Sequence, residues 1–404
     1  MVSIKFFVRR KKFVNNDVIL MSAASEFVFL GCQFAAKYPE GGGNFSVPLQ
    51  WALALQRLNR KFIWMEVLIS CSDPIEDQRR IRIFERRMRD AGLQKNYCLL
   101  FQEKANDENA WDAMSYYGME SKAFSRLFEA PHILLNLCYS IQPPLLNRFD
   151  KRVLCDLDPG EVPYWMKEVE LGQSSHQEFW TIGLNINDSS CRLPKQHVSW
   201  RTFFPLVDTH LNRPVPRPPK PKFTTVGQWY WKNDMLMDGE WKDFSKKATF
   251  EKFLGLPNKV PQAHMELAMN MTKNDLAKER LESLGWKVVD PHRVAGTSHA
   301  YRKYLAGALA EFTAVKGIDT YLQTGWISDR GATFLAMGRP VITEDTGAAS
   351  YLPADSGMFF VADLEGATEA VQRVMRDWDH FSKKARECAM EYFEATKTLK
   401  RILG

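Results

Sequence analysis

Thr324–Thr346 reads TGWISDRGATFLAMGRPVITEDT. Ser328 or Asp329 is placed to cap a helix, because a Ser or Asp oxygen accepts the backbone N–H groups left free in a first helical turn. The helix is expected over Asp329–Met337, and Gly338 with Pro340 stops it. Arg339–Thr343 then has the apolar, β-branched content of a buried strand. A strand-to-helix loop of this kind lies at the carboxyl end of a parallel sheet, where open α/β sheets bind their ligands. The free amides and dipole of the helix start suit phosphate oxygens. Arg330 and Arg339 are available as counter-charges, and Gly325 lets a ligand approach the backbone closely. Glu344 and Asp345, followed by Thr346, stand where that strand opens, placed to hydrogen-bond ligand hydroxyls. The plain alternative is that all of these are caps and turns.

Outward from this loop, strand and helix patterns alternate. Phe223–Gln228, Met265–Met269, Trp286–Val289, Phe312–Val315 and Met358–Val361 read as strands. Lys273–Leu284, Tyr301–Leu309 and Gly366–Trp378 read as helices, and a last long helix is expected over Asp379–Leu399. The first half repeats the pattern. Glu26–Cys32, Lys61–Leu68, Tyr97–Phe101, His132–Leu137 and Arg152–Leu157 are strands; Val47–Leu58, Pro74–Ala91, Asn109–Tyr117 and Ser121–Glu129 are helices. Between the halves, Arg213–Pro221 reads RPVPRPPKP, a semi-rigid polyproline-like connector. The expected organisation is a basic tail over 1–25, an N-terminal domain over 26–212, a linker over 213–221 and a C-terminal domain over 222–379. The terminal segment 380–404 is expected to pack back on the first domain. The fold class is α/β, two doubly wound domains facing across a cleft.

Composition sets outer bounds. The 404 residues are 45% hydrophobic and 25% charged, enough for two cores without disulfides or metals. A net charge of +6 suits an anionic ligand. The seven cysteines form no CxxC or metal-spaced cluster, which points to free thiols and a cytoplasmic setting. No run of about eighteen apolar residues predicts a membrane span. Pro74–Ala91 carries Arg79, Arg80, Arg82, Arg86, Arg87 and Arg89. The simpler reading is a solvated face partnered by Glu76, Asp77 and Glu85; contact with nucleic acid is the other. The Gly-rich turn Gly41-Gly42-Gly43-Asn44 follows the first strand. Its spacing is not the GxGxxG of dinucleotide sites, so Gly42, Gly43 and Asn44 are read as a cleft loop.

The stretch Leu335-Ala336-Met337-Gly338-Arg339-Pro340-Val341-Ile342 resembles the end of the signature of GT-B glycosyltransferases. Gly325, Trp326, Ser328, Asp329 and Arg330, then Asp345, Thr346, Gly347, Leu352 and Pro353, are similar to a bacterial group with a GWFSDR…LASGRP…DTG pattern. Gly41–Phe45, Asp156–Gly160 and Cys191–Pro194 also fit that group, so the resemblance covers most of the chain after residue 26. It implies a GT-B fold and transfer of a sugar from a nucleotide-diphosphate sugar, UDP first, to an unidentified acceptor without a metal or other cofactor. It also implies that the loop after Phe223–Gln228 reaches the donor diphosphate through Gly227 and Lys232. Trp229, Trp231 and Trp241 either stack on base or sugar or belong to the core. In register, Gly325 and Thr333 stand where many retaining members carry glutamates, so the retaining mechanism is not supported.

Sugar transfer needs a group to take the acceptor proton and positive charge at the leaving diphosphate. Asp156 and Asp158, at a strand end, and His176 are the base candidates, with Asx-turns and packing as their plainer roles. The DxD spelling is discounted as a metal motif. Competing functions are a GT-B-like nucleotide-sugar epimerase, a non-catalytic nucleotide-binding protein, and a phage-type transferase acting on hydroxymethylated DNA bases.

Overall fold

The computed structural model describes residues 26–103, 114–193, 198–230, 234–271 and 276–404. The basic tail expected over 1–25 lies outside them.

The N-terminal lobe is an eight-stranded sheet. Its order is β4 (Ser115–Tyr117), β3 (Tyr97–Gln102), β2 (Phe62–Ile69), β1 (Phe27–Cys32), β5 (His132–Leu137), β6 (Lys151–Asp156), β7 (Glu178–Thr181) and β8 (Trp200–Thr202). All neighbours are parallel except β3 and β4. Alternation along β1 and β2 explains the layers. Val28, Leu30, Phe62 and Trp64 enter one core with Phe45 and Leu49; Phe29, Ile63 and Met65 enter the other with Phe124 and Phe149. Ser115–Tyr117, expected as the end of a helix, is instead an antiparallel edge strand. Residues 109–113 of that expected helix lie outside the described set.

The C-terminal lobe is a six-stranded, wholly parallel sheet. Its order is β13 (Lys287–Val289), β12 (His264–Asn270), β9 (Lys222–Gln228), β14 (Ala310–Thr313), β15 (Val341–Glu344) and β16 (Met358–Val361). The sequence therefore reverses direction beside β9, as it does beside β1 in the other sheet. Ligands bind at such switch points, beyond the strands' carboxyl ends. A separate hairpin, β10 (Met235–Met237) and β11 (Glu240–Lys242), is inserted after β9.

The Pro-rich segment is held by a side chain read from sequence as a phosphate contact. Arg339 is buried, and its Nη2 donates to Pro216 O and Ala306 O at 2.7 Å each. It clasps the connector onto the C-terminal lobe and is not presented to a ligand. The chain then returns. The helix Trp378–Cys388 runs into a π-helical turn, Ala389–Phe393, and the backbone extends at Glu394 to form a parallel bridge with Val207. The last helix, Ala395–Leu403, places Ala395, Leu399 and Ile402 in the same core as Leu30 and Trp64. Residues 379–399 are thus two helices divided at Glu394, not one.

Candidate functional site

The helix Asp329–Ala336 begins where the sequence places it. Ser328 Oγ accepts from Gly331 N at 2.8 Å, and Gly338 ends the segment at φ +67°. On the other lobe, the helix Gly42–Arg57 starts inside the glycine run and has no side-chain cap. A Cβ on Gly42 would lie 2.2 Å from Ala295 O and 2.4 Å from Thr297 O. Glycine is required there because the first turn of one lobe touches the backbone of the other. Arg87, from the helix Pro74–Asp90, donates to Gly296 O at 3.0 Å and to Ala35 O at 3.1 Å, fixing the same contact.

Between these two helix starts is a cavity of about 320 Å³. The N-terminal lobe contributes Glu40, Gly41, Gly42, Gly43, Asn44 and Val47. The C-terminal lobe contributes the strand ends Val226–Gln228 and Asn270, the segment around His292 and Tyr301, and Trp326, Ser328, Asp329 and Arg330. The cleft loop Gly42–Asn44, Gly227, Ser328, Asp329 and Arg330 are therefore brought together.

Arg330 is not a free counter-charge. Its Nε pairs with buried Glu311, its Nη1 donates to Val226 O at 2.6 Å and its Nη2 to Thr313 Oγ1 at 3.3 Å. Lys232 lies outside the described residues. The lysine found beside Gly227 is Lys246, which sequence reading missed. A Cβ on Gly227 would stand 3.6 Å from Lys246 Cε. Lys246 Nζ donates to Thr313 Oγ1 at 3.2 Å and to Ala314 O. Burial, and then the Arg330 charge, push its pKa down to about 7. Lys246 and the cavity-lining Arg330 thus meet at Thr313. Asp329 is the cavity carboxyl on the helix start; burial pushes it up to about 7. An anion arriving at the helix start disfavours the ionised form of Asp329 further.

The other expected donor residues are engaged elsewhere. Gly325, at φ +75°, packs on the N-terminal lobe, where a Cβ would meet Asn185 N at 2.7 Å. Glu344 is buried, with Lys252 Nζ at 2.6 Å and Val315 N donating at 2.8 Å. Asp345 forms an Asx-turn with Gly347 N at 2.8 Å. Thr346 is buried and donates to Trp326 O at 2.7 Å. These groups shape the loop behind the cavity and do not line it. Trp229 is core, packed on Phe250; Trp241 is exposed, and Trp231 is outside the described residues.

The base candidates also move into structural roles. His176 is buried in the N-terminal lobe, with Nδ1 2.8 Å from Gly172 O and Nε2 3.1 Å from Asn136 Nδ2. Burial pushes its pKa down to about 4, so it stays neutral, and it does not line the cavity between the two helix starts. Asp156 is fully buried and accepts from Thr181 Oγ1 at 2.6 Å and Asp158 N at 2.9 Å. Asp158, with Glu161, holds Lys316 of the other lobe at 2.6 Å. This triad ties the lobes together at a second place.

Next to it, Asp319 is buried with Oδ1 accepting from Thr324 Oγ1 at 2.8 Å and Oδ2 unpartnered. Burial, and then Asp158, push its pKa up to about 8. An unfolded Asp titrates near 4, so folding loses stability as pH rises from there to about 8, by up to about 1.4 kcal/mol per unit. Asp319→Asn removes that cost. Its melting-temperature advantage over the parent chain is expected to grow from pH 5 to pH 8; a constant difference defeats the assignment.

No protein-family model matches the chain, and no curated protein matches it in sequence. Solved structures do. An alpha-glucosyltransferase in complex with UDP and a 13-mer DNA containing an HMU base matches with a TM-score of 0.59 at 9% identity, over 94% of this chain and 99% of that one. The fold is GT-B. An E. coli protein bound with UDP-2-fluoro glucose matches at 0.53 and 9%, over 94% and 98%. A pneumococcal O-GlcNAc transferase in complex with UDP and GlcNAc matches at 0.52 and 8%, over 94% and 99%. GT-B proteins place two Rossmann-like units across a cleft, and the cavity described above lies in that cleft. No helix among the described residues is long and apolar enough to cross a membrane. None of them forms a group of three or more His, Cys, Asp or Glu suited to a metal ion.

Proposed function

We propose that the chain is a glycosyltransferase that takes a nucleoside-diphosphate sugar, UDP-linked first, and passes the sugar to an acceptor entering from the N-terminal lobe. One observation carries the reading. A capped helix start, with Lys246 and Arg330 behind it, faces a glycine-opened helix start across a cavity at a sheet switch point. Amide dipoles and buried cations are the groups that stabilise charge on a departing diphosphate without a metal. The likeness to structures holding UDP agrees with this reading.

The acceptor hydroxyl must lose a proton. Besides Asp329, the carboxylate and imidazole side chains on the cavity wall are Glu40 and His292, from opposite lobes. Glu40 is held by Arg79 Nη2 at 2.6 Å, and His292 is exposed.

A panel of nucleoside diphosphates and their sugars tests the donor. At a ligand concentration of about 100 times Kd, the bound nucleotide adds about 2.7 kcal/mol of stability, a readily measured rise in melting temperature. Slow release of free diphosphate without an acceptor favours transfer over epimerisation. Glu40→Gln and His292→Ala then separate the proton acceptors, since the true one loses turnover and keeps donor affinity. If no nucleotide shifts the melting temperature, the donor reading is wrong.

A further inference from the structure

The helix Pro74–Asp90 is capped by Asp73, whose Oδ1 accepts from Ile75 N at 3.0 Å. One face is sealed into the lobe by Ile81, Phe84 and Met88. Three of the helix's four acids are engaged locally, and the fourth, Asp90, is exposed at its last position. Asp77 accepts from Ser70 Oγ and pairs with Arg80 at 3.1 Å; Glu76 pairs with Arg79 at 2.6 Å; Glu85 accepts from Tyr97 at 3.3 Å. Arg80 and Arg87 are buried. What remains is Arg82, Arg86 and Arg89. All three are exposed, and none is paired with another described residue.

Their spacing of four and three puts them in one stripe along the helix. Seven residues rise about 10 Å, close to the axial rise of three nucleotides of one strand. The stripe continues from the cavity rim, because the arginine three residues before Arg82 on the same face, Arg79, is bound to Glu40 on the cavity wall. From Gln78 to Asp90 no large apolar side chain is exposed. An interfacial helix needs an apolar face to enter a bilayer, and this stripe has only charge.

We propose that Arg82, Arg86 and Arg89 form a rail for the phosphate backbone of a nucleic acid, and that nucleic acid is the acceptor delivered to the cavity. The second half rests on the transferase reading; the rail itself does not. Phosphate contacts of this kind position a strand without reading its sequence.

The test titrates a fluorescently labelled duplex of about 20 base pairs into the full chain between about 50 and 200 mM salt. The variant replaces all three arginines by glutamine. Each phosphate contact contributes about 0.9 to the slope of log affinity against log salt, so the slope is expected to fall by about 2.7. Affinity at the lowest salt is expected to fall at least about tenfold. The three side chains are exposed and make no ion pair with a described residue, so the melting temperature is expected to stay nearly unchanged. Arg86→Glu alone weakens binding further than Arg86→Gln. The shift produced by UDP is expected to be equal in parent and variant, which separates failure of the rail from failure of the donor site. Absence of duplex binding by the parent chain, an unchanged slope in the variant, or binding to phosphatidylserine vesicles in place of the duplex overturns the proposal.

Discussion

Arg330→Ala is expected to cost about 3–5 kcal/mol of stability, the usual result of removing one member of a buried ion pair. Glu311 is fully buried in β14. Its Oε1 is shared between Arg330 and Thr225, whose hydroxyl donates at 3.1 Å, and its Oε2 has no partner. Alanine leaves a carboxylate in the sheet with one neutral hydrogen bond. It also frees Val226 O, which receives the Arg330 Nη1 proton at 2.6 Å. Arg330→Met combined with Glu311→Gln is expected to recover most of the loss, since neither partner then needs a charge. Urea or thermal unfolding of the two variants decides it. A single variant as stable as the parent chain shows that the pair is not structural. The consequence for function is direct. Lost nucleotide affinity in Arg330→Ala reports the collapse of a strand end as readily as a missing phosphate contact, so the double variant is the one to assay.

The six strands of the C-terminal sheet and β1, β2, β3, β5 and β6 of the other were legible because each is a short apolar run bounded by turn residues; β4 was expected as helix, and the short edge strands β7 and β8 were not read. His132–Leu137 and Met358–Val361 are found at the expected limits. The helix at Asp329 was legible for the same reason a cap works: Ser328 has a side chain that can do only a few things there. The hairpin Met235–Lys242 was not read. Its signal was present in Asp238-Gly239 between two three-residue strands, a dipeptide that adopts positive φ at both positions, 54° and 82°. With the hairpin inserted after β9, Lys246 is the described lysine that returns to the strand end beside Gly227, and Lys232 lies outside the described residues. Gly325, Glu344 and Thr346 stand beside a ligand loop in sequence order, which cannot show that Gly325 packs on Asn185, Glu344 pairs with Lys252 and Thr346 donates to Trp326 O. The same holds for His176, whose neutral state comes from burial that sequence order cannot show.

Lys246→Met is expected to weaken UDP binding by about 10- to 100-fold at pH 7, the range for losing one charge-assisted hydrogen bond. The effect carries its own signature in pH. Burial and Arg330 hold the free lysine near 7. A bound diphosphate favours the ammonium and raises that value. The sign follows. Below 7 the lysine is charged before binding and costs nothing to use. Above 7 it is neutral in the free protein and must take up a proton, so affinity falls by up to tenfold per pH unit until the raised value is passed. The terminal phosphate of UDP, with a second pKa of about 6, is already fully ionised over this range and adds no slope. Methionine keeps the apolar stem against Gly227 and removes the titrating group. The variant is therefore expected to bind weakly and to lose the lysine's share of the pH dependence between 7 and 9, keeping only the share that Asp329 contributes. Calorimetry in two buffers of different ionisation enthalpy counts the proton: at pH 8 the parent chain is expected to take up close to one proton more per UDP than the variant. Equal affinity in the two, or the same slope in both, means that the diphosphate sits elsewhere in the cleft.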